Sequence, residues 1–167
     1  MSKEMEYPNP NDEPLQVNEA ATTYVRNAGK SAAAGFTFMD FLKDRMLILD
    51  SIRNGITHSF FEAIKGRMPF SDQDWADYFN VSLKSMQRYK NDSNHVFKPI
   101  LSEKIIQMAE VIEEGRLVFG DDEKLFRWLD TPSLALGGYK PKDLLSNAYG
   151  QRMVRAELNA IEHGIFA

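Results

Sequence analysis

The sequence predicts an all-α protein built from short helices. Three observations predict it. From Phe36 onward the apolar residues recur at helical spacing, no stretch keeps up the strict alternation of a half-buried strand, and proline and glycine fall at the ends of the periodic segments. An apolar content of 43% with 11% aromatic residues is that of a folded chain.

Along the chain, residues 1–36 read as a disordered or extended tail. Pro8, Pro10 and Pro14 sit among Asn, Asp and Glu in its first 14 residues, and NAGKSAAAG at 27–35 reads as a linker. Tyr24 and Val25 are the tail residues able to dock. Met46, Leu49 and Ile52 lie along one face of a first helix, and Ile56, Phe60 and Ile64 along one face of a second. A longer helix is expected from about Pro99 to Glu114. Proline suits its first turn, Leu101, Ile105, Met108 and Ile112 form its stripe, and Gly115 and Gly120 bracket its end.

Between them, FSDQDWADYFNVSLKSMQRYK at 70–90 carries a helix-turn-helix pattern. Ser71 is a good N-cap, and Asp74 three residues on makes a capping box. Trp75, Ala76 and Phe79 face inward, and the small Ala76 lets the second helix approach. Asn80 tolerates the left-handed backbone that the turn needs. Val81 and Met86 plug the space under the turn, with Tyr89 also inward. Ser82, Lys84, Gln87, Arg88 and Asn91 then face outward. Arg suits guanine, Gln suits adenine, and Lys and Ser suit phosphates, as a helix in a major groove requires. Residues 82–98 hold Lys84, Arg88, Lys90 and Lys98 against Asp92. An ordinary helical hairpin with a capped start and a solvated face is the alternative; agreement of small alanine, turn asparagine, plug residues and local charge favours DNA reading.

The stretch LGGYKPKDLL at 136–145 poses a choice between phosphate loop and punctuation. A phosphate loop needs a preceding strand and GxxxxGK[ST] or GxGxxG spacing, and has neither. Gly137 and Gly138 therefore punctuate, and Pro141 and Asp143 open a further helix.

Charge is uneven. The first 20 residues hold five acids and one lysine, the whole net charge of −4, leaving 19 basic and 19 acidic residues in the rest. The acidic total therefore does not exclude nucleic acid. With no cysteine there is no disulfide, thiolate metal site or cysteine nucleophile. Without a leader-like apolar segment or a membrane-length run, the expected location is the cytoplasm. No nucleophile–base–acid set is visible, and Glu113, Glu114, Asp121, Asp122 and Glu123 are read on solvated faces or turns. His58 and His95 lack metal-ligand spacing. The expectation is a binding protein, without enzymatic activity, cofactor or metal.

Over residues 40–167 the chain resembles antitoxins of the Xre/MbcA/ParS family, the neutralising partners in RES–Xre toxin–antitoxin modules. Trp128, Leu129, Thr131, Pro132, Leu136, Gly137, Gly138, Pro141, Leu144, Leu145, Gly150, Val154, Leu158, His163 and Gly164 carry the resemblance. It implies an Xre-like helix-turn-helix domain at 37–119 that represses its own operon, and a toxin-binding domain at 120–167. It also implies a RES-domain toxin as partner, one that hydrolyses NAD⁺ or transfers its ADP-ribose, and whose NAD cleft the antitoxin occludes partly with its C-terminal end. The 36-residue extension departs from the family core. Read physically, Trp128, Leu144, Leu145, Val154 and Leu158 are core residues, and Gly164 ends the last helix in a left-handed cap. His163 suits a helix C-terminus, with toxin contact as the alternative. His163, Gly164, Ile165, Phe166 and Ala167 form the expected toxin-binding set, against the alternative that Ile165 and Phe166 fold onto the chain's own core. Two other functions fit: a plain transcription regulator whose C-terminal domain dimerises, and a toxin inhibitor that no longer binds DNA. A homodimer is expected from operator symmetry, with stripes at 101–112 and 153–161 as candidate interfaces.

Overall fold

A computed structural model describes residues 13–165. Residues 1–12, part of the expected disordered segment, and Phe166 and Ala167 lie outside the described residues. Every regular element among the described residues is a helix, and the sole strand-like feature there is an isolated antiparallel bridge between Thr57 and Val96. The all-α expectation holds. The chain divides into two units, one running to Pro69 and taking in Tyr89–Glu103, the other made of Phe70–Arg88 and the chain from Lys104 onward.

The first unit corrects the reading of the tail. Residues Glu13–Asn27 form a 15-residue helix, α1. Val17, Ala21 and Val25 recur every fourth residue and are buried, so packing overrides the weak helix propensity of its Thr, Val and Asn residues. Tyr24 stacks on Phe60 at 4.8 Å and donates its hydroxyl to the Gly55 carbonyl at 2.8 Å. Asn18 accepts from the Phe38 amide at 2.7 Å. The helix ends at Gly29, φ +75°, with Lys30 N–H reaching the Val25 carbonyl.

After the connecting residues come α2 (Phe38–Lys43), opened by a Thr37–Asp40 capping box, α3 (Arg45–Asn54), capped by Asp44, and α4 (His58–Gly66), capped by Thr57. Phe38, Phe41 and Phe60 complete the aromatic cluster around Tyr24. Ile56, Phe60 and Ile64 are all buried, as their spacing requires. The Met46–Leu49–Ile52 face is not: Met46 is 62% and Leu49 40% exposed, while Ser51 is the buried residue of α3. Ser51 returns its hydroxyl to the Leu47 carbonyl at 2.7 Å, so its burial leaves no hydroxyl unsatisfied. Gly55 is required by its φ of +92° and by the Phe97 carbonyl, which a Cβ would meet at 2.5 Å.

In the second unit, α5 (Asp72–Phe79) and α6 (Leu83–Asn91) form the hairpin discussed below, with α6 and the next helix running through both units. Helix α7 spans Pro99–Phe119, longer than its stripe suggests, because Gly115 lies inside it. A Cβ there would stand 2.5 Å from a Leu125 methyl, so Gly115 admits the following helix; only Gly120, at φ +65°, ends α7. Leu101 is half-buried, but Ile105, Ile106, Met108, Ala109, Val111 and Ile112 are all buried. Most of the 101–112 stripe is thus core of this chain, as are Val154 and Leu158 of the other stripe once offered as interface.

Helix α8 (Asp122–Leu129) buries Leu125 and Leu129 and leaves Trp128 half-buried against Phe119. A 3₁₀ turn (Leu134–Leu136), α9 (Pro141–Leu144) and α10 (Ala148–Glu162) follow. Gly150 sits in the first turn of α10, where a Cβ would come within 1.9 Å of the Leu144 carbonyl oxygen. This glycine sets how closely the two helices approach. Glu113, expected on a solvated face, is buried and pairs with Arg116 at 2.7 Å, which also holds Asp122 at 2.8 Å. Burying the carboxylate is tolerable because its partner is charged and itself hydrogen-bonded.

Candidate functional site

Two regions carry functional geometry. In the first, Ser71 accepts from the Asp74 amide at 3.1 Å and Asp74 accepts from the Ser71 amide at 2.8 Å, the reciprocal box that the sequence predicts. Trp75, Ala76, Tyr78 and Phe79 are buried; Tyr78 escaped the sequence reading because it lies beside the predicted stripe. Asn80 adopts φ +53°, ψ +47°, and Val81 N–H reaches back to the Ala76 carbonyl at 3.0 Å. That six-to-one bond is the helix stop usually made with glycine, so Asn80 bears a strain of about 1 kcal/mol. Met86 is buried, Val81 half-buried, and Tyr89 stacks on His95 at 4.5 Å.

All five candidate DNA-contacting residues are exposed. Lys84, Gln87, Arg88 and Asn91 recur at i, i+3, i+4 and i+7, one continuous stripe along α6. Ser82 stands apart from them. It precedes the helix and caps it, its hydroxyl accepting from the Ser85 amide at 3.1 Å and meeting the Ser85 hydroxyl at the same distance. Leu83, the first residue of α6, is also exposed beside Lys84.

The second region is the C-terminal stretch. Gly137 (φ +69°) and Gly138 (φ +83°) follow a 3₁₀ turn with no strand before them, and Pro141 opens α9. They are punctuation, as expected. The turn closes on itself: Gly138 N–H donates to the Ser133 carbonyl at 2.8 Å, and Ser133 N–H to that of Tyr139 at 3.0 Å. Leu136 and Pro141 are buried beneath it. Asp130 accepts from Lys142 at 2.8 Å and Lys140 at 3.1 Å, and these bonds, Lys142 first, hold its carboxyl below the usual carboxylate range.

At the far end of α10, Ile165 N–H bonds the Ala160 carbonyl at 2.8 Å and Gly164 N–H that of Ile161 at 3.1 Å, with Gly164 at φ +65°. Gly164 is the left-handed cap. The His163 ring nitrogen Nδ1 lies 2.8 Å from the Asn159 carbonyl, which only accepts, so the ring donates and serves the helix end. Ile165 is 64% exposed; Phe166 and Ala167 lie outside the described residues.

Residues 114–164 match the family described as "Antitoxin Xre/MbcA/ParS C-terminal toxin-binding domain". A Sphingobium sp. (strain YBL2) protein named "Prs ADP-ribosylating antitoxin" is 39% identical over 125 residues, covering 70% of this chain and 78% of that protein.

This chain belongs to the Xre/MbcA/ParS antitoxin family.

The family residues now acquire physical roles. Leu129, Leu136, Leu145, Val154 and Leu158 are core, Trp128 and Leu144 are half-buried, and Gly150 permits the α9–α10 approach. Four exposed side chains in the antitoxin's C-terminal part escaped the sequence reading: Leu117, Leu134, Tyr139 and Tyr149. Alternation of Leu134 and Leu136 around one alanine gave a hint of an in–out pair, but not of which one is out. Among the described residues no group of three His, Asp or Glu side chains could hold a metal, and no helix is long and apolar enough to cross a membrane.

Proposed function

We propose that this antitoxin neutralises a RES-type, NAD⁺-consuming toxin by occluding its active site, and represses its own operon through α6. The observation that carries the toxin half is the toxin-binding domain match at 114–164; the name of the Sphingobium relative supports ADP-ribosyl transfer as the toxin's chemistry. Such transfer draws on NAD⁺, so an inhibitor must exclude a dinucleotide from its pocket. The stretch after the Gly164 helix stop suits that role, with Ile165 exposed and an aromatic Phe166 next in sequence. The protein acts in the cytoplasm as a binder, not a catalyst.

The DNA half rests on the exposed Lys84–Gln87–Arg88–Asn91 stripe, which also favours operator binding over an inhibitor that has lost it. A homodimer would set two such stripes one DNA turn apart. The test is co-expression with the adjacent gene followed by pull-down and an NAD⁺ consumption assay. A co-purifying, silent toxin supports the reading. A neighbour that is not a toxin, or a toxin neither bound nor silenced, refutes it.

A further inference from the structure

We infer that the closed turn between α8 and α9 is an anchor for the toxin, with Leu134 as its knob and Tyr139 beside it. The inference rests on the toxin-binding reading and concerns a surface distinct from the C-terminal end. Leu134 is 96% exposed, more than any other large apolar side chain described, and Tyr139 is 61% exposed. Leu134 is not exposed through local looseness. The turn is tied by five backbone bonds: those from Gly138 and Ser133 as above, Leu136 N–H to the Ser133 carbonyl and Gly137 N–H to the Leu134 carbonyl, each at 3.1 Å, and Tyr139 N–H to the Leu136 carbonyl at 3.3 Å. It is seated on buried Leu136 and Pro141, and its exit is clamped by Lys140 and Lys142 on Asp130.

An apolar side chain held rigidly in water gains nothing for the isolated chain, whereas a pre-ordered knob spares a partner the cost of ordering it. The occupant is the toxin, because the turn lies in the middle of the segment that matches the toxin-binding domain. Charge points to the kind of pocket. The cations flanking the turn are engaged by Asp130, and Asp143 follows them, so the surface offered is apolar and nearly neutral. The complementary toxin pocket is therefore apolar, and this contact depends little on salt, unlike one made between charged groups.

The experiment titrates the purified toxin encoded beside this gene with the full-length antitoxin, its Leu134→Ala and Tyr139→Ala variants, and a deletion of residues 165–167, by calorimetry at low and high salt. Leu134→Ala should weaken binding about tenfold or more at both salt concentrations, with unchanged melting temperature and unchanged mass by light scattering. Wild-type affinity in Leu134→Ala overturns the anchor while leaving the toxin reading intact. A variant that loses self-association but not toxin affinity assigns the turn to a second copy and equally overturns it. Toxin that binds no form of the antitoxin sinks the toxin reading and the anchor together.

Discussion

Replacing Gly150 by alanine should destabilise the toxin-binding part of the protein, against the intrinsic preference of a helix for alanine. The added Cβ would stand 1.9 Å from the Leu144 carbonyl oxygen, 2.8 Å from its carbon and 3.1 Å from its Cα. All three are backbone atoms, so no side chain can rotate away, and the first turn of α10 must move by an ångström or more. Overpacking of this kind costs about 3 kcal/mol or more. Alanine in a helix returns about 1 kcal/mol relative to glycine. The net cost is then about 2 kcal/mol, which lowers the melting temperature by roughly 4–8 °C in a chain of this size. Two other glycines calibrate the assay. Gly115→Ala meets only side-chain atoms of Leu125, the nearest a methyl at 2.5 Å that can turn where backbone cannot, and should cost less. Gly66, the last residue of α4, has nothing within 4 Å and no positive φ, so Gly66→Ala should be neutral or stabilising by up to about 1 kcal/mol. The measurement is thermal and urea unfolding followed by circular dichroism. A Gly150→Ala protein as stable as the wild type, or one no less stable than Gly66→Ala, would refute the reasoning.

Four further outcomes are expected. Arg88→Ala should weaken specific operator binding by about 1–3 kcal/mol in a gel-shift titration while leaving toxin neutralisation intact; unchanged operator affinity removes Arg88 from the reading face. Deleting residues 165–167 should leave the melting temperature nearly unchanged yet leave the toxin partly active on NAD⁺, and complete silencing by the truncated protein would end the inhibitory role of that end. Light scattering at micromolar concentration should give a dimer, and a monomer with and without DNA refutes it. Burial pushes the phenols of Tyr78 and Tyr24 up. Below pH 10 both are protonated in the folded and unfolded chains and give no slope. Above it the unfolded chain ionises first, so stability falls with rising pH, by up to about 1.4 kcal/mol per unit for the deeply buried Tyr78 and by less for Tyr24, which solvent screens more. Tyr78→Phe, which loses a 3.3 Å bond to the Lys142 carbonyl, should flatten that alkaline fall, and an identical pH profile contradicts the assignment.

What the sequence determined by itself was whatever four or five neighbouring residues decide among themselves. The Ser71–Asp74 box, the left-handed Asn80, the Gly137–Gly138 turn, Pro141 at a helix start and the Gly164 stop are all closed by bonds spanning a few residues, so their chemistry is written where it acts. The family pattern around Trp128–Gly164 was legible for the same reason, being a dense local string of such signals. Tertiary structure alone decided the rest. Helix α1 forms because Tyr24 finds Gly55 and Phe60, and Asn18 finds Phe38, at separations no local period records. Helix α3 turns Ser51 inward and Met46 and Leu49 outward, since amphipathic spacing names a face but not the neighbour that will cover it. Gly115 read as a helix end and Gly150 carried no physical role in the sequence, yet both are close-packing sites, a role set by Leu125 and Leu144. Leu134 and Leu136 are chemically identical two residues apart; only the closed turn, seating one and raising the other, decides which is core and which is offered to a partner.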